Sequence, residues 1–204
     1  MSDSLELSKF SLTRMSHDLA GMMTALSASL ELLDEAGGAD AESLSLAQAA
    51  AQGLIARLTF FRAAFGAKGP LTSVRAAFET AQTYLKSLEN QPISYQLDFR
   101  LPEQAPMFVL RLSLLGVQIC ADCLTRGGSV SAGVNEARRT FEITGRGGRV
   151  NVDPTVADLL NGRKAPLSSP KQVAAAYFKE TAQTNKWNVS LEQSADQIKI
   201  ICGE

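Results

Sequence analysis

Arg14-Met15-Ser16-His17-Asp18-Leu19-Ala20-Gly21-Met22-Met23-Thr24-Ala25-Leu26 decides how this chain is read. It holds the single histidine of 204 residues. Apolar residues run through and beyond it at Leu12, Met15, Leu19, Met22, Leu26, Leu30 and Leu33, in steps of three and four. That spacing makes an amphipathic helix with a near-heptad seam. His17 stands two residues from Met15 and two from Leu19, roughly 200° around the helix from each. It therefore projects away from the seam, toward water. Asp18 follows directly and can hold the imidazole in one tautomer and raise its basicity, leaving the other ring nitrogen as a nucleophile. The arrangement suits phosphoryl acceptance.

The helix is expected from about Leu5 or Ser8 to Glu35, with Gly37-Gly38 stopping it and Asp40 capping the next. Leu44, Ala47, Ala51, Leu54, Leu58, Phe61 and Phe65 give the second helix an even cleaner three–four rhythm, and Gly66 and Gly69-Pro70 end it. Two helices of this length joined by a short loop form an antiparallel hairpin. A lone hairpin leaves part of each apolar face wet, so a homodimer through residues 8–65, completing a four-helix bundle, is expected. With the loop midpoint near Gly38, His17 should sit level with Thr59, Phe60 and Phe61, flanked by Arg57 and Arg62. Phe61 reads as core and Phe60 as partly so, and the two arginines as candidate phosphate contacts.

Past Leu71 the pattern changes. Thr72 can cap a helical run through Val74, Phe78, Ala81, Leu85 and Leu88, and Ile93, Tyr95, Leu97 and Phe99 alternate as a half-buried strand. An apolar helix follows Pro106 to about Leu124. Strands are expected near Ser129–Val134 and Arg139–Thr144, a short helix after Asp153-Pro154, and a longer one from Ser169 to Asn185. Trp187–Glu192 and Gln197–Cys202 close as a hairpin. The fold class expected is α+β: a helical hairpin over residues 1–68, then a two-layer α/β sandwich over 69–204.

Composition narrows the function. Forty-five per cent hydrophobic residues build a real core, and a net charge of −1 gives no global field for nucleic acid. Residues 1–65 carry eight acids against four bases, and the remainder thirteen against sixteen, which supports two regions with different surfaces. Cys120 and Cys123 lie three apart in an apolar helical run and read as small core residues. No second Cys/His pair accompanies them to make zinc ligands. No signal peptide is expected, since Asp3 and Glu6 precede any apolar run, and no membrane span, since Arg111, Gln118 and Asp122 break the longest apolar stretch, so the chain reads as cytoplasmic.

A His-Asp helix, a hairpin and then an α/β sandwich is the order of a histidine kinase core. The details more closely resemble the ChpT-type histidine phosphotransferases of alphaproteobacteria, over nearly the whole chain. The resemblance rests on His17-Asp18-Leu19, on Arg57-Leu58-Thr59-Phe60-Phe61-Arg62-Ala63-Ala64-Phe65-Gly66, on Leu124-Thr125-Arg126-Gly127-Gly128 and on Leu159-Leu160-Asn161-Gly162. It implies a degenerate kinase-like second domain that does not use ATP. It also implies phosphoryl transfer, through the histidine matching His17, from the receiver domain of a hybrid histidine kinase to a response-regulator receiver. Two departures stand out. Gly21 and Met22 replace the small polar residue and proline common after the acceptor, which weakens any phosphatase role. Gly116 and Cys120 stand where a kinase would place asparagines, and Thr144-Gly145-Arg146-Gly147-Gly148-Arg149 lacks the aspartate of an adenine-binding turn.

On this reading His17 and Asp18 are catalytic, and Mg²⁺ comes with the receiver because the chain offers no acidic cluster of its own. The receiver would dock on the outward face of the first helix and the facing part of the second: Arg14, Ala20, Gly21, Thr24, Arg57, Phe60 and Arg62. The alternatives are a degenerate or active histidine kinase, which would bind ATP, and a non-catalytic dimeric adaptor that binds receivers without transfer.

Overall fold

The computed structural model describes residues 3–38, 40–66, 71–89 and 92–203. Helix α1 spans Asp3–Glu35 and α2 spans Ala41–Phe65. Between them Gly37 and Gly38 take φ of +68° and +79°, the left-handed turn that frees the chain to reverse. Asp40 caps α2 as its sequence position predicts, accepting from the backbone N–H groups of Glu42 and Ser43. The antiparallel register is marked by two contacts. Gly53 lies against Met22, and Arg57 reaches the backbone carbonyl of Asp18. His17 is therefore level with Leu58, one residue short of the Thr59–Phe61 level that the loop midpoint predicts.

The apolar seam of α1 divides. Met15, Leu19, Met22, Leu26 and Leu33 are half-buried, while Leu12 and Leu30 stay exposed. The boundary expected between residues 68 and 69, with its Gly69-Pro70 stop, lies outside the described residues.

The second half begins with α3 (Val74–Lys86), capped by Ser73, whose hydroxyl accepts from the Ala76 N–H. Thr72 stands one residue too early to do this. Strand β1 (Tyr95–Arg100) leads to α4 (Met107–Cys123), then β2 (Gly128–Asn135), β3 (Thr140–Arg146) and α5 (Pro154–Leu160). A 3-10 turn at Pro170–Gln172 opens α6 (Val173–Thr184), and β4 (Asn188–Gln193) and β5 (Gln197–Gly203) close the chain. The sheet order is β1-β2-β3-β5-β4, with β1 and β2 parallel and the other neighbours antiparallel.

Period-two alternation decides which face of the sheet is covered. Phe141 and Ile143 on β3 and Ile198, Ile200 and Cys202 on β5 are buried, and α4 packs over β2, β3 and β5. Gly116 lets α4 approach the sheet, since a Cβ there would lie 2.1 Å from Ile143 Cδ1. All three cysteines are buried and free, and burial pushes the Cys123 and Cys202 thiols up to about 12, so they pack as small apolar groups.

The two halves share one core. Phe60, Phe61, Ala63 and Ala64 at the end of α2 join Tyr84, Leu85 and the α4 leucines in a single cluster. Phe60 stacks on Tyr84 with ring centroids 3.8 Å apart and planes 14° from parallel. The base of the hairpin is thus built into the sandwich, close to the level of His17.

Candidate functional site

The helical phase of α1 leaves the His17 side chain 86% exposed. Its Nδ1 lies 3.3 Å from Asp18 Oδ1. A carboxylate oxygen can only accept, so Nδ1 is the donor and Nε2 is left open with its lone pair toward solvent. Ala20, Gly21 and Thr24, one and two turns along, are exposed on the same face. Nothing lies within 4 Å of where a Gly21 Cβ would stand. Arg62 is exposed on α2. These residues form a small, open surface around a single nucleophilic nitrogen.

Three of the residues expected on that surface are turned inward. Phe60 is fully buried against Tyr84 and cannot meet a docked partner; the hairpin face that looked open is closed by α3. Arg14 is only 11% exposed at its side chain. Its Nε donates to Asp18 Oδ2 at 2.7 Å, and its Nη1 and Nη2 donate to Asp122 at 3.2 and 2.9 Å. Arg57 donates from Nη1 to the Asp18 carbonyl at 3.0 Å, from Nη2 to the Ser87 carbonyl at 2.8 Å, and from Nε to Ser87 Oγ at 3.3 Å. It pins α1, α2 and the end of α3 together and is not a free phosphate clamp.

Asp122, Tyr84 and Ser87 are the site-forming residues that sequence reasoning missed. Asp122 carried a signal, because an acid inside an otherwise apolar helix must find a cation or remain an expensive buried charge. Burial pushes its carboxyl up, and Arg14 opposes that shift. Burial works against the Arg14 charge in turn, and Asp122 and Asp18 overcome it, so the guanidinium sits above its ordinary range. Burial, reinforced by Asp122, also raises the Tyr84 phenol, whose hydroxyl finds no hydrogen-bond partner among the described residues.

Among the described residues no group of three or more His, Cys, Asp or Glu side chains could hold a metal ion. No helix among them is long and apolar enough to cross a membrane.

A family model described as the histidine phosphotransferase C-terminal domain matches residues 78–197. The protein phosphotransferase ChpT of Brucella abortus (strain 2308) is 27% identical over 201 residues, covering 95% of this chain and 93% of that protein. The 1.7 Å structure of a bacterial phosphotransferase superposes with a TM-score of 0.79 at 26% identity, over 100% of this chain and 98% of that one. The domain match alone spans more than half of the sequence, the similarity to these phosphotransferases runs almost end to end, and the chain belongs to the histidine phosphotransferase family.

Proposed function

We propose that the chain relays a phosphoryl group between response-regulator receiver domains through His17. The observation that carries this reading is the open Nε2 on a ring whose Nδ1 is held by Asp18, on the exposed face of α1. In the forward step the Nε2 lone pair attacks the phosphorus of a receiver's phosphoaspartate. The N–P bond forms, the P–O bond to the aspartate breaks, and a carboxylate leaves. Nδ1 keeps its proton, and Asp18 stabilises the positive charge that develops on the ring. The next receiver's aspartate reverses the sequence. The receiver's Mg²⁺ would supply charge neutralisation on the phosphoryl group; this chain's residues position the ring and the docking face.

Incubation with phosphorylated receivers tests the reading. Label should pass to this protein and on to a second receiver. Tight receiver binding without label transfer would make it an adaptor instead.

The donor is read as the receiver of a hybrid histidine kinase and the acceptor as a response regulator, which puts the exchange in the cytoplasm. The docking face, on this reading, centres on Ala20, Gly21 and Thr24, with Arg62 across the hairpin.

The functional unit is a homodimer. Leu12, Met23 and Leu30 on α1 and Leu44, Ile55 and Leu58 on α2 are exposed, and each set falls along one stripe of its helix. Pairing these stripes between two chains makes a four-helix bundle. His17 lies about 140° around α1 from Leu12, so the bundle leaves it open. Sedimentation should find a dimer, and Ile55→Asp with Leu58→Asp should give a helical monomer, because both side chains are exposed within one chain. A monomeric wild type would contradict this.

Kinase activity is not part of the proposal. Gly116 faces Ile143, and Cys120 Sγ would lie 3.0 Å from a Cβ at Gly145, so both positions face the packed sheet rather than a nucleotide. After β3 the chain is tied to the β4–β5 turn, through Gly147 N–H to the Asp196 carbonyl and Val150 N–H to the Ala195 carbonyl, each at 3.0 Å. Calorimetry with millimolar ATP·Mg²⁺ should show no saturable heat; saturation at tens of micromolar would support a kinase.

A further inference from the structure

We infer that Asp122 and Arg14 are positioning residues for the acceptor, so that the second domain sets the geometry and field of His17 from beneath. This rests on the proposed role of His17 and adds residues to it. The 3.3 Å contact between His17 and Asp18 is long for a hydrogen bond, and the ring is otherwise in water. Such a contact orients the imidazole only if the carboxylate itself cannot turn. Asp18 is prevented from turning at two points: its Oδ2 is held by Arg14 Nε at 2.7 Å, and its backbone carbonyl by Arg57.

Arg14 is fixed in its turn. Both terminal nitrogens engage the two oxygens of Asp122, a residue 108 positions away on α4. This is the bidentate fork that only arginine can make while a third nitrogen serves another acid. The chain of contacts runs from α4 through Arg14 and Asp18 to the ring, and each link is a direct polar contact of 3.3 Å or less.

Charge gives Asp122 a second effect. Arg14 is shared between Asp18 and Asp122, and the Arg57 guanidinium rests on the Asp18 carbonyl, so two cations balance two carboxylates beneath the imidazole. Without Asp122, Arg14 would pair with Asp18 alone and cancel most of its field at the ring. With Asp122 present, Asp18 keeps the charge that favours the Nδ1–H tautomer and the phosphoimidazolium.

The test uses full-length protein, Asp122→Asn, Arg14→Lys and Asp18→Asn with and without Asp122→Asn. Because His17 is the only histidine, its two ring ¹⁵N resonances report the tautomer without assignment. Asp122→Asn and Arg14→Lys should each slow single-turnover transfer about 10-fold or more, as loss of an orienting partner does elsewhere. Receiver affinity should stay within about twofold, since both residues are inward, and the ¹⁵N shifts should move from Nδ1–H toward a mixture. In the Asp18→Asn background, Asp122→Asn should add nothing, because its effect passes through Asp18. Wild-type rates and shifts in Asp122→Asn and Arg14→Lys, or a full further loss in the double variant, would overturn the inference. If Asp122→Asn fails to fold, Arg14→Lys decides by the same rate and shift readouts. If wild-type protein accepts no label, the acceptor reading fails, while the ¹⁵N shifts still decide whether the ring is positioned this way.

Discussion

His17→Ala is expected to abolish phosphoryl transfer completely while leaving the protein folded and able to bind receivers. The chain has no other histidine, so no second imidazole can substitute. The side chain is 86% exposed and packs against no core, so its removal costs little stability. It also contributes little contact area, and receiver affinity measured by calorimetry should change by about twofold at most. Label remaining on His17→Ala after incubation with a phosphorylated receiver would place the acceptor elsewhere.

Asp18→Asn should slow transfer on the order of 10²-fold or more, with the fold and receiver affinity intact. In the wild type one carboxylate oxygen accepts from His17 Nδ1 and the other from Arg14 Nε. An amide has one accepting oxygen and one donating NH₂, so one of the two contacts becomes donor against donor. Satisfying Arg14 leaves the ring without its acceptor; satisfying the ring leaves a buried guanidinium nitrogen unmet. The negative charge that stabilises the phosphoimidazolium is lost either way. Asp18 is itself only 15% exposed at its side chain, which keeps it out of the docking surface. Single-turnover rates checked against receiver affinity separate the two effects, and a wild-type rate would show that the acid plays no part.

Local chemistry made most of the architecture legible. Three–four spacing located α1 and α2, an apolar run after Pro106 located α4, paired glycines and Asp40 located the hairpin turn, and period-two alternation located β1. The open face of His17 followed from helical phase alone. What escaped was every contact between the halves. Arg14, Arg57 and part of Phe60 looked open to the surface because a hairpin read by itself has nothing beside it. In the fold α3 and α4 stand there, and Tyr84, Ser87 and Asp122 claim those side chains. Asp122 announced a need for a cation, but nothing in the local sequence says which of twenty basic residues meets it. That pairing is set by tertiary packing across 108 positions.

This packing also ties the second domain to the hairpin. It closes over the base of the hairpin with Tyr84 stacked on Phe60, and it reaches Asp18, beside His17, through Asp122 and Arg14. The sandwich packs its glycine-rich strand exit against a neighbouring turn and its central helix against the sheet.

The central claim, relay through His17, is tested most directly by loading wild-type protein from a phosphorylated receiver, removing the donor, mapping the modified peptide under alkaline conditions, and chasing with a second unphosphorylated receiver. The account predicts an acid-labile, base-stable phosphoryl group on the peptide containing His17, which disappears as label arrives on the second receiver. A phosphoryl group that survives acid, lies on any other residue, or cannot be chased would contradict it.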